Sequence, residues 1–147
     1  MALLFYDSAA RGFIGEDATW DWVADTINVL IMTSTYTFSA AHDFRNDITN
    51  EVTGTGYSAG GLGLDNKSVS SAGVNPAVLT ADDEVIAQSG AGFSNGRKYA
   101  FSKIRGGAST ADELLAYGTA GADFGNVAGQ LTLDVPASFI TISAPSS

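Results

Sequence analysis

The most regular hydrophobic pattern in the chain lies at residues 25–33, DTINVLIMT, where large and β-branched apolar residues occupy both alternating positions. Such a run is typical of a strand that is covered on both faces. Two later segments, residues 97–105 (RKYAFSKIR) and 113–119 (ELLAYGT), predict further strands. We therefore expect β-structure to dominate.

The C-terminal pattern predicts two strands rather than one. Two groups of apolar residues alternate with opposite parity: Leu131, Leu133 and Val135 in one, Ile140 and Ile142 in the other. A change of parity by one residue moves every following side chain to the other face of a sheet. We therefore predict a turn at 135–138, where Pro136 interrupts the pattern.

The N-terminal third predicts one helix and one extended segment. Asp7 or Ser8 can cap a short helix that Gly15 ends. Residues 19–25, TWDWVAD, alternate aromatic and acidic side chains, which favours an extended segment.

The middle of the chain is less regular. Residues 61–69 predict a strand that leads into a loop at Asn75–Pro76. Residues 77–88, AVLTADDEVIAQ, fit either a helical turn or a β-turn, because TADDE can cap the one or form the other. Short strands separated by Gly, Asn and Ser turns predict a mainly β fold. We expect an antiparallel β-sandwich or barrel with one or two short helices, as a single domain over residues 1–147.

Composition excludes several classes of site. The chain of 147 residues has no cysteine, so disulfides, zinc sites built from thiolates and cysteine nucleophiles are excluded. Its net charge of −9 makes nucleic acids and anionic membranes poor partners for the chain as a whole. The N-terminus lacks the basic region of a signal peptide, and the longest apolar run, VLIM, is too short to span a bilayer. We expect a soluble, unexported protein.

Residues 42–61, HDFRNDITNEVTGTGYSAGG, contain the only histidine, three carboxylates and four glycines. The glycines do not have the G-x-G-x-x-G spacing of a dinucleotide loop, and no G-K-[ST] sequence follows them. Asp43, Asp47 and Glu51 would share one face of a helix, but the segment offers little apolar cover to separate two carboxyl pKa values.

Other chemistries fit these residues no better. A single histidine cannot provide the second imidazole of a zinc site, and the ligand spacing of a calcium loop is missing. A Ser-His-Asp triad has no G-x-S-x-G elbow to present its nucleophile. We therefore interpret residues 42–61 as a structural connector, in which TGTGY supplies positive-φ positions and Tyr57 returns the chain to packed structure. No catalytic residue, metal or cofactor is predicted.

The same stretch resembles a family of small virion proteins of tailed bacteriophages. The resemblance rests on DTINVLIMTSTYT, on HDFRNDITNEVTGTGYSAGGLGLDNKSV and on ADDEV, with ALLFYDSAARGF and ELLAYGT as weaker matches. It is dense between residues 25 and 70 and loose from 71 to 147, where GGAST and GADFGNVAG are richer in glycine than the family pattern.

The resemblance implies a structural protein of the virion and not an enzyme. We expect a head decoration, or cement, protein that binds the outer face of the capsid after assembly in the host cytoplasm. Its partners would be the major capsid protein and further copies of itself, for example in a trimer, without nucleic acid or membrane. A tail, neck or fibre component is one alternative, and a carbohydrate-binding module with Trp20, Trp22 and Tyr57 as stacking platform is another.

Aromatic, apolar and basic residues are the candidate contacts with these partners. The predicted contact residues are Leu3, Leu4, Phe5, Trp20, Trp22, Arg97, Lys98, Lys103 and Arg105. Tryptophans that alternate along a strand are more often core residues, and a basic strand is more often solvated. Lys98 and Lys103 also fall on opposite faces of their strand, which weakens the case for one basic patch.

Overall fold

The described part of the chain, residues 4–13, 20–70, 77–135 and 140–142 of a computed structural model, is built mainly from short β-strands. The elements are β1 (Leu4–Phe5), α1 (Asp7–Phe13), β2 (Ile27–Thr33), a 3-10 helix (Arg45–Asp47), β3 (Leu62–Gly63), β4 (Ser68–Val69), β5 (Ala77–Thr80), β6 (Glu84–Ile86), β7 (Gly96–Lys103), a second 3-10 helix (Ser109–Ala111), β8 (Leu114–Phe124), β9 (Leu131–Leu133) and β10 (Ile140–Ile142). None of the helices in these ranges has the length and apolar character needed to cross a membrane.

Five strands form the main sheet, in the order β1-β8-β7-β2-β3, and every neighbouring pair is antiparallel. The longest ladder joins β2 to β7 and runs from Ile27 opposite Lys103 to Thr33 opposite Gly96. Two smaller antiparallel sheets have the orders β10-β5-β4 and β6-β9. The prediction of a mainly β, antiparallel, sandwich-like fold with few helices is confirmed.

One face of the main sheet packs against the smaller sheets. Val29 of β2 belongs to the same buried cluster as Leu79 of β5. Ile31 belongs to a second cluster with Ile86 of β6, and Leu133 of β9 packs against both clusters. Odd-numbered side chains of β2 therefore form the interior between the sheets.

The opposite face of β2 is covered by the segments around the N-terminal helix and the connector. Leu30 and Met32 are fully buried in a cluster with Tyr6 and Tyr36. Ile48 packs against the same cluster. The prediction that DTINVLIMT forms a strand covered on both faces is confirmed.

Most other predicted elements are present with changed bounds. The helix spans Asp7–Phe13, and Gly15 lies outside the described residues. The predicted strand at 97–105 is β7, and the strand at 113–119 extends to Phe124 as β8. Both C-terminal strands exist, but β9 pairs with β6 and β10 pairs with β5, so they belong to different sheets. Pro136 and most of the turn lie outside the described residues.

The prediction of an extended segment at 19–25 is wrong for residues 20–25, the part that the structure describes. Residues 22–24 form a turn, because the Asp21 side chain accepts hydrogen bonds from the backbone N–H groups of Val23 and Ala24 at 3.0 and 2.9 Å. An aspartate that bonds the backbone two and three residues onward stabilises a turn irrespective of the alternating pattern.

The strand predicted at 61–69 is two strands in two different sheets, β3 and β4. Asn66, between them, has φ 46°, a left-handed conformation that ends a strand. Residues 77–88 form β5 and β6 with a short connection, so the structure agrees better with the predicted β-turn than with the predicted helical turn. The loop at Asn75–Pro76 lies outside the described residues.

A buried asparagine joins three loops at one end of the fold. Asn126 is fully buried, and its side-chain amide donates to the carbonyl oxygens of Thr55 and Ala87, both at 2.9 Å. Its side-chain oxygen accepts from the backbone N–H of Phe93 at 3.0 Å. A buried polar side chain with all of these groups paired fixes one relative position of the three loops.

The glycines around Asn126 explain the glycine-rich composition of this region. A Cβ atom at Gly92 would lie 2.0 Å from the Asn126 side-chain oxygen, which no side chain can tolerate. The loops approach each other this closely only because residue 92 has no side chain.

We expect Asn126→Ala to lower the free energy of unfolding by about 3 kcal/mol, since it leaves one buried backbone donor and two acceptors without partners. Urea denaturation followed by circular dichroism measures this change. Asn46→Ala is the matched control, because Asn46 is exposed, and its effect should stay within about 0.5 kcal/mol. An Asn126→Ala protein as stable as the control would contradict this role.

Candidate functional site

The connector, residues 42–61, is held by its own carboxylates. A single 3-10 turn, Arg45–Asp47, replaces the longer helix on which three acids would share a face. The Asp47 carboxylate accepts hydrogen bonds from the backbone N–H groups of Asp43 and Phe44, both at 3.0 Å. Asp47 therefore caps the turn that contains it.

Glu51 organises the second half of the connector. One of its oxygens accepts from the Tyr57 hydroxyl at 2.5 Å and from the backbone N–H of Gly60 at 2.9 Å. The Tyr57 hydroxyl in turn accepts from the backbone N–H of Ile31 in β2 at 2.9 Å. Burial and the neighbouring Glu51 raise the pKa of Tyr57, so the phenol stays protonated as a donor at neutral pH. This chain of hydrogen bonds links the connector to strand β2 of the main sheet.

The prediction of positive-φ positions in TGTGY is right for Gly56 and wrong for Gly54. Gly56 has φ +92°, in the left-handed region that favours glycine. The backbone N–H of Tyr57 bonds to the carbonyl of Gly54 at 3.2 Å, which closes a tight turn. Tyr57 is 7% exposed, so it does return the chain to packed structure, although through an isolated bridge and not a strand.

Arg45 connects the connector to the loop before β8. Its guanidinium lies 2.8 Å from the Asp112 carboxylate, which is fully buried. The other carboxylate oxygen of Asp112 accepts from the backbone N–H of Arg105 at 2.8 Å. The buried negative charge is therefore compensated by one cation and one backbone donor.

The only histidine ends a chain of two buried phenols. His42 Nδ1 lies 2.9 Å from the Tyr36 hydroxyl, which lies 3.1 Å from the Tyr6 hydroxyl. Burial raises the pKa of both tyrosines. Across the described ranges, no three or more His, Asp or Glu side chains come together in a way that could hold a metal ion. The hydrogen bonds of this stretch organise backbone and core, which agrees with its interpretation as a connector.

Two of the predicted contact residues are well exposed at the edge of the main sheet. Leu4 and Phe5 form strand β1, and they are 50% and 41% exposed. Only β8 pairs with β1, so the other side of this two-residue strand has no neighbouring strand among the described residues. Leu3 lies outside the described residues. We call the pair Leu4 and Phe5 the apolar edge.

The tryptophans belong to the core. Trp22 is 6% exposed and donates from Nε1 to the carbonyl of Thr80 at 2.9 Å. Trp20 is partly buried and packs against the same cluster, with the Lys103 ammonium 6.0 Å from its ring. Tyr57 belongs to another cluster. Because Trp22 and Tyr57 are both buried, the three aromatic residues do not form an exposed stacking platform for a sugar.

All four predicted basic contacts have partners inside the molecule. Arg97 pairs with Asp123 at 2.7 Å, Lys103 with Asp25 at 2.8 Å, and Arg105 with Glu113 at 2.8 Å. The Lys98 ammonium donates to the carbonyl oxygen of Tyr36. Lys103 is also largely buried, so the four cations do not form one accessible patch.

A pocket between β7 and β9 was missed at the level of sequence. It encloses about 300 Å³ and is lined by side chains of both strands, including Tyr99 and Leu133. The alternation of Leu131, Leu133 and Val135 signals a buried face, but it does not show that the opposite wall stands far enough away to leave a space.

Comparison with protein-family models, with curated proteins and with solved structures found no match for this chain.

We expect Arg45→Ala to destabilise the fold by about 3 kcal/mol, because it leaves the buried Asp112 carboxylate without its cation. Arg97→Ala removes an exposed pair of the same type and should cost at most about 1 kcal/mol. Urea denaturation of both variants gives the comparison. Equal losses of unfolding free energy in the two variants would contradict the distinction between the buried and the exposed ion pair.

We expect stability to fall above about pH 10, the ionisation range of tyrosine in an unfolded chain. Burial raises the pKa of four phenols, those of Tyr6, Tyr36, Tyr57 and Tyr99. The protonated phenols contribute fully to the free energy of unfolding below the pKa that tyrosine has in the unfolded chain. This contribution is lost as the pH rises towards their higher pKa in the folded protein, because in that range the unfolded state releases protons and the folded state does not. The slope should reach about 1 kcal/mol per pH unit for each tyrosine.

Urea denaturation at several alkaline pH values measures this slope, and tyrosinate absorbance measures ionisation in the folded state. Tyr57→Phe should reduce the slope of unfolding free energy against pH by the contribution of one tyrosine. Complete ionisation of all tyrosines near pH 10 in a protein that is still folded would contradict the expectation.

Proposed function

We propose that this protein is a non-enzymatic structural component of a bacteriophage particle, which decorates the outer face of the capsid by binding the major capsid protein. Two features support the proposal. The first is the resemblance of residues 25–70 to small virion proteins. The second supports the non-enzymatic part of the proposal: the connector carboxylates Asp47 and Glu51 are used to hold backbone groups and a tyrosine in place.

The apolar edge is the observation that carries the proposed contact. Leu4 and Phe5 expose large apolar side chains on an edge strand, a position where proteins commonly avoid them because it invites pairing with another chain. About half of each side chain is already covered, so burying the rest in an interface supplies roughly 1 kcal/mol each. A single copy would bind the capsid only modestly through these two residues.

Multiple contacts compensate for this modest strength. If copies associate with one another, each assembly presents several equivalent apolar edges to a lattice of repeated sites. Linked contacts of this kind can strengthen overall binding by factors of about 100 to 10,000 without any new contact per copy. Self-association, for example in a trimer, is therefore part of the proposal.

The proposed contact surface contains fewer residues than the set of contact residues predicted from the sequence. Trp22 is occupied in the core, and Lys98 and Lys103 are engaged by Tyr36 and Asp25. Arg97 and Arg105 are partly exposed but already paired with acids, so they would contribute at the rim of an interface, where charges affect association rates more than affinity.

We expect the double variant Leu4→Ser, Phe5→Ser to bind purified capsids of the parent phage at least about tenfold more weakly, since it removes the apolar area to be buried. Co-sedimentation at graded protein concentrations measures the affinity. The control is Val23→Ser, Val85→Ser, because these side chains are equally exposed elsewhere, at 53% and 55%. The control should bind like the wild type.

Unchanged co-sedimentation of the folded Leu4, Phe5 double variant would contradict the proposed contact surface. Mass spectrometry of purified virions tests the wider proposal separately, and particles that lack the polypeptide would contradict it. Sedimentation velocity of the isolated protein measures self-association in the same samples.

A further inference from the structure

Asn95 is the only asparagine in the sequence that is followed directly by glycine. It is exposed and lies immediately before β7. Within the described part of the chain, no hydrogen bond or ion pair holds its side chain. The side-chain amide of Asn95 is therefore accessible to water, and it can rotate towards the backbone nitrogen of Gly96.

An asparagine followed by glycine can react with no other reagent than water. The backbone nitrogen of the glycine attacks the side-chain carbonyl carbon, the new C–N bond closes a cyclic imide, and the amide nitrogen leaves as ammonia with the proton of the attacking N–H. Water then breaks one of the two C–N bonds of the imide ring. Cleavage at the side-chain carbon gives aspartate, and cleavage at the main-chain carbon gives isoaspartate, in which the main chain runs through the former side chain.

Glycine at residue 96 favours this attack. A Cβ atom on the following residue would obstruct the approach to its nitrogen, and glycine has the widest choice of backbone angles. The ladders that join β7 to β2 and to β8 are both irregular here, since each passes over Arg97 between Gly96 and Lys98. The start of β7 can therefore open locally while the rest of the sheet stays paired.

The other asparagines of the described ranges lack this combination. Asn46, Asn50 and Asn66 are exposed, but they are followed by aspartate, glutamate and lysine. Asn126 is fully buried, its amide group is paired, and valine follows it. A side chain on the following residue hinders the attack in each of these cases. The reaction should therefore be concentrated at Asn95.

The isoaspartate product disturbs the packing at the start of β7. It adds a carbon atom to the main chain directly before Gly96, which is buried. Even a Cβ atom at Gly96 would lie 2.8 Å from the Phe124 ring and 3.0 Å from the Ile31 side chain. Such close packing leaves no room for a displaced backbone. The new carboxylate, in contrast, is exposed and ionised at neutral pH, so the charge by itself costs little.

We propose that Asn95 is a site of spontaneous covalent modification, where the folded protein forms aspartate and isoaspartate through attack by the Gly96 nitrogen, and that isoaspartate loosens the start of β7. The site is independent of the apolar edge, and it goes beyond the proposed role on the capsid. Aged molecules of this protein differ from newly made ones in charge and in stability without the action of an enzyme.

Incubation of the folded protein in heavy-oxygen water, followed by peptide mapping with mass spectrometry, measures the rate at each asparagine. We expect Asn95 to replace its amide nitrogen by labelled oxygen at least about tenfold faster than Asn46, Asn50 and Asn66, which corresponds to a barrier lower by about 1.4 kcal/mol. The rate should rise with pH, because the attacking nitrogen must lose its proton. Methylation by an isoaspartate-specific methyltransferase identifies isoaspartate in the same peptide.

Two variants separate the reaction from its consequence. Asn95→Gln lengthens the side chain and should remove the labelled product, and it should fold like the wild type because residue 95 is exposed. Freshly purified Asn95→Asp has the new charge and an unaltered main chain, so it should unfold at the same urea concentration as the wild type. The isoaspartate form, separated from aged protein by chromatography, should unfold at a lower urea concentration.

Three results would overturn the proposal. The first is a rate at Asn95 in the folded protein no higher than at the other exposed asparagines. The second is a reaction at Asn95 that occurs in urea but not in the folded protein. The third is an isoaspartate form that resists urea as well as Asn95→Asp does.

Discussion

Strand β2 buries side chains on both of its faces, and the rest of the described structure follows from that constraint. Val29 and Ile31 require cover on one side, which β5, β6 and β9 supply. Leu30 and Met32 require cover on the other side, which Tyr6 and Tyr36 supply. A sheet with an inner strand that is apolar on both faces cannot leave either face in water, so other segments of the chain cover both.

Polar groups hold this wrapping in place. Glu51 and Tyr57 bond the connector to Ile31, Arg45 bonds it to Asp112, and Asn126 joins three loops at one end of the sheets. Tyr57, Asp112 and Asn126 are buried, Arg45 and Glu51 are partly buried, and each of them is paired. These polar side chains are thus used for architecture. Within the described part of the chain, the apolar edge is the surface for which we propose a function.

The two proposed sites use the fold in different ways. The apolar edge depends on a short strand at the border of the main sheet, where backbone pairing ends after two residues. The reaction at Asn95 depends on an exposed side chain directly before the closely packed Gly96. The apolar edge belongs to β1 and Asn95 precedes β7, so each site can be tested without altering the other.

Elements with a local pattern could be predicted from the sequence: the doubly covered strand at Ile27–Thr33, the strands β7 and β8, and the two separate strands at Leu131–Leu133 and Ile140–Ile142. It also showed that TGTGY forms a tight turn, because positive φ at Gly56 is a property of the residue itself. It did not show the turn after Asp21, since alternation can be overridden by one side chain that bonds the backbone.

Which side chains remain available for contacts depends on tertiary packing. Packing brings together residues that are distant in sequence. This explains the burial of Trp22, the pairing of Lys103 with Asp25 and the space beside Tyr99. Periodicity records which way a side chain points from its own strand. It contains no information on what stands opposite, and that is why the elements were predictable and the sites were not.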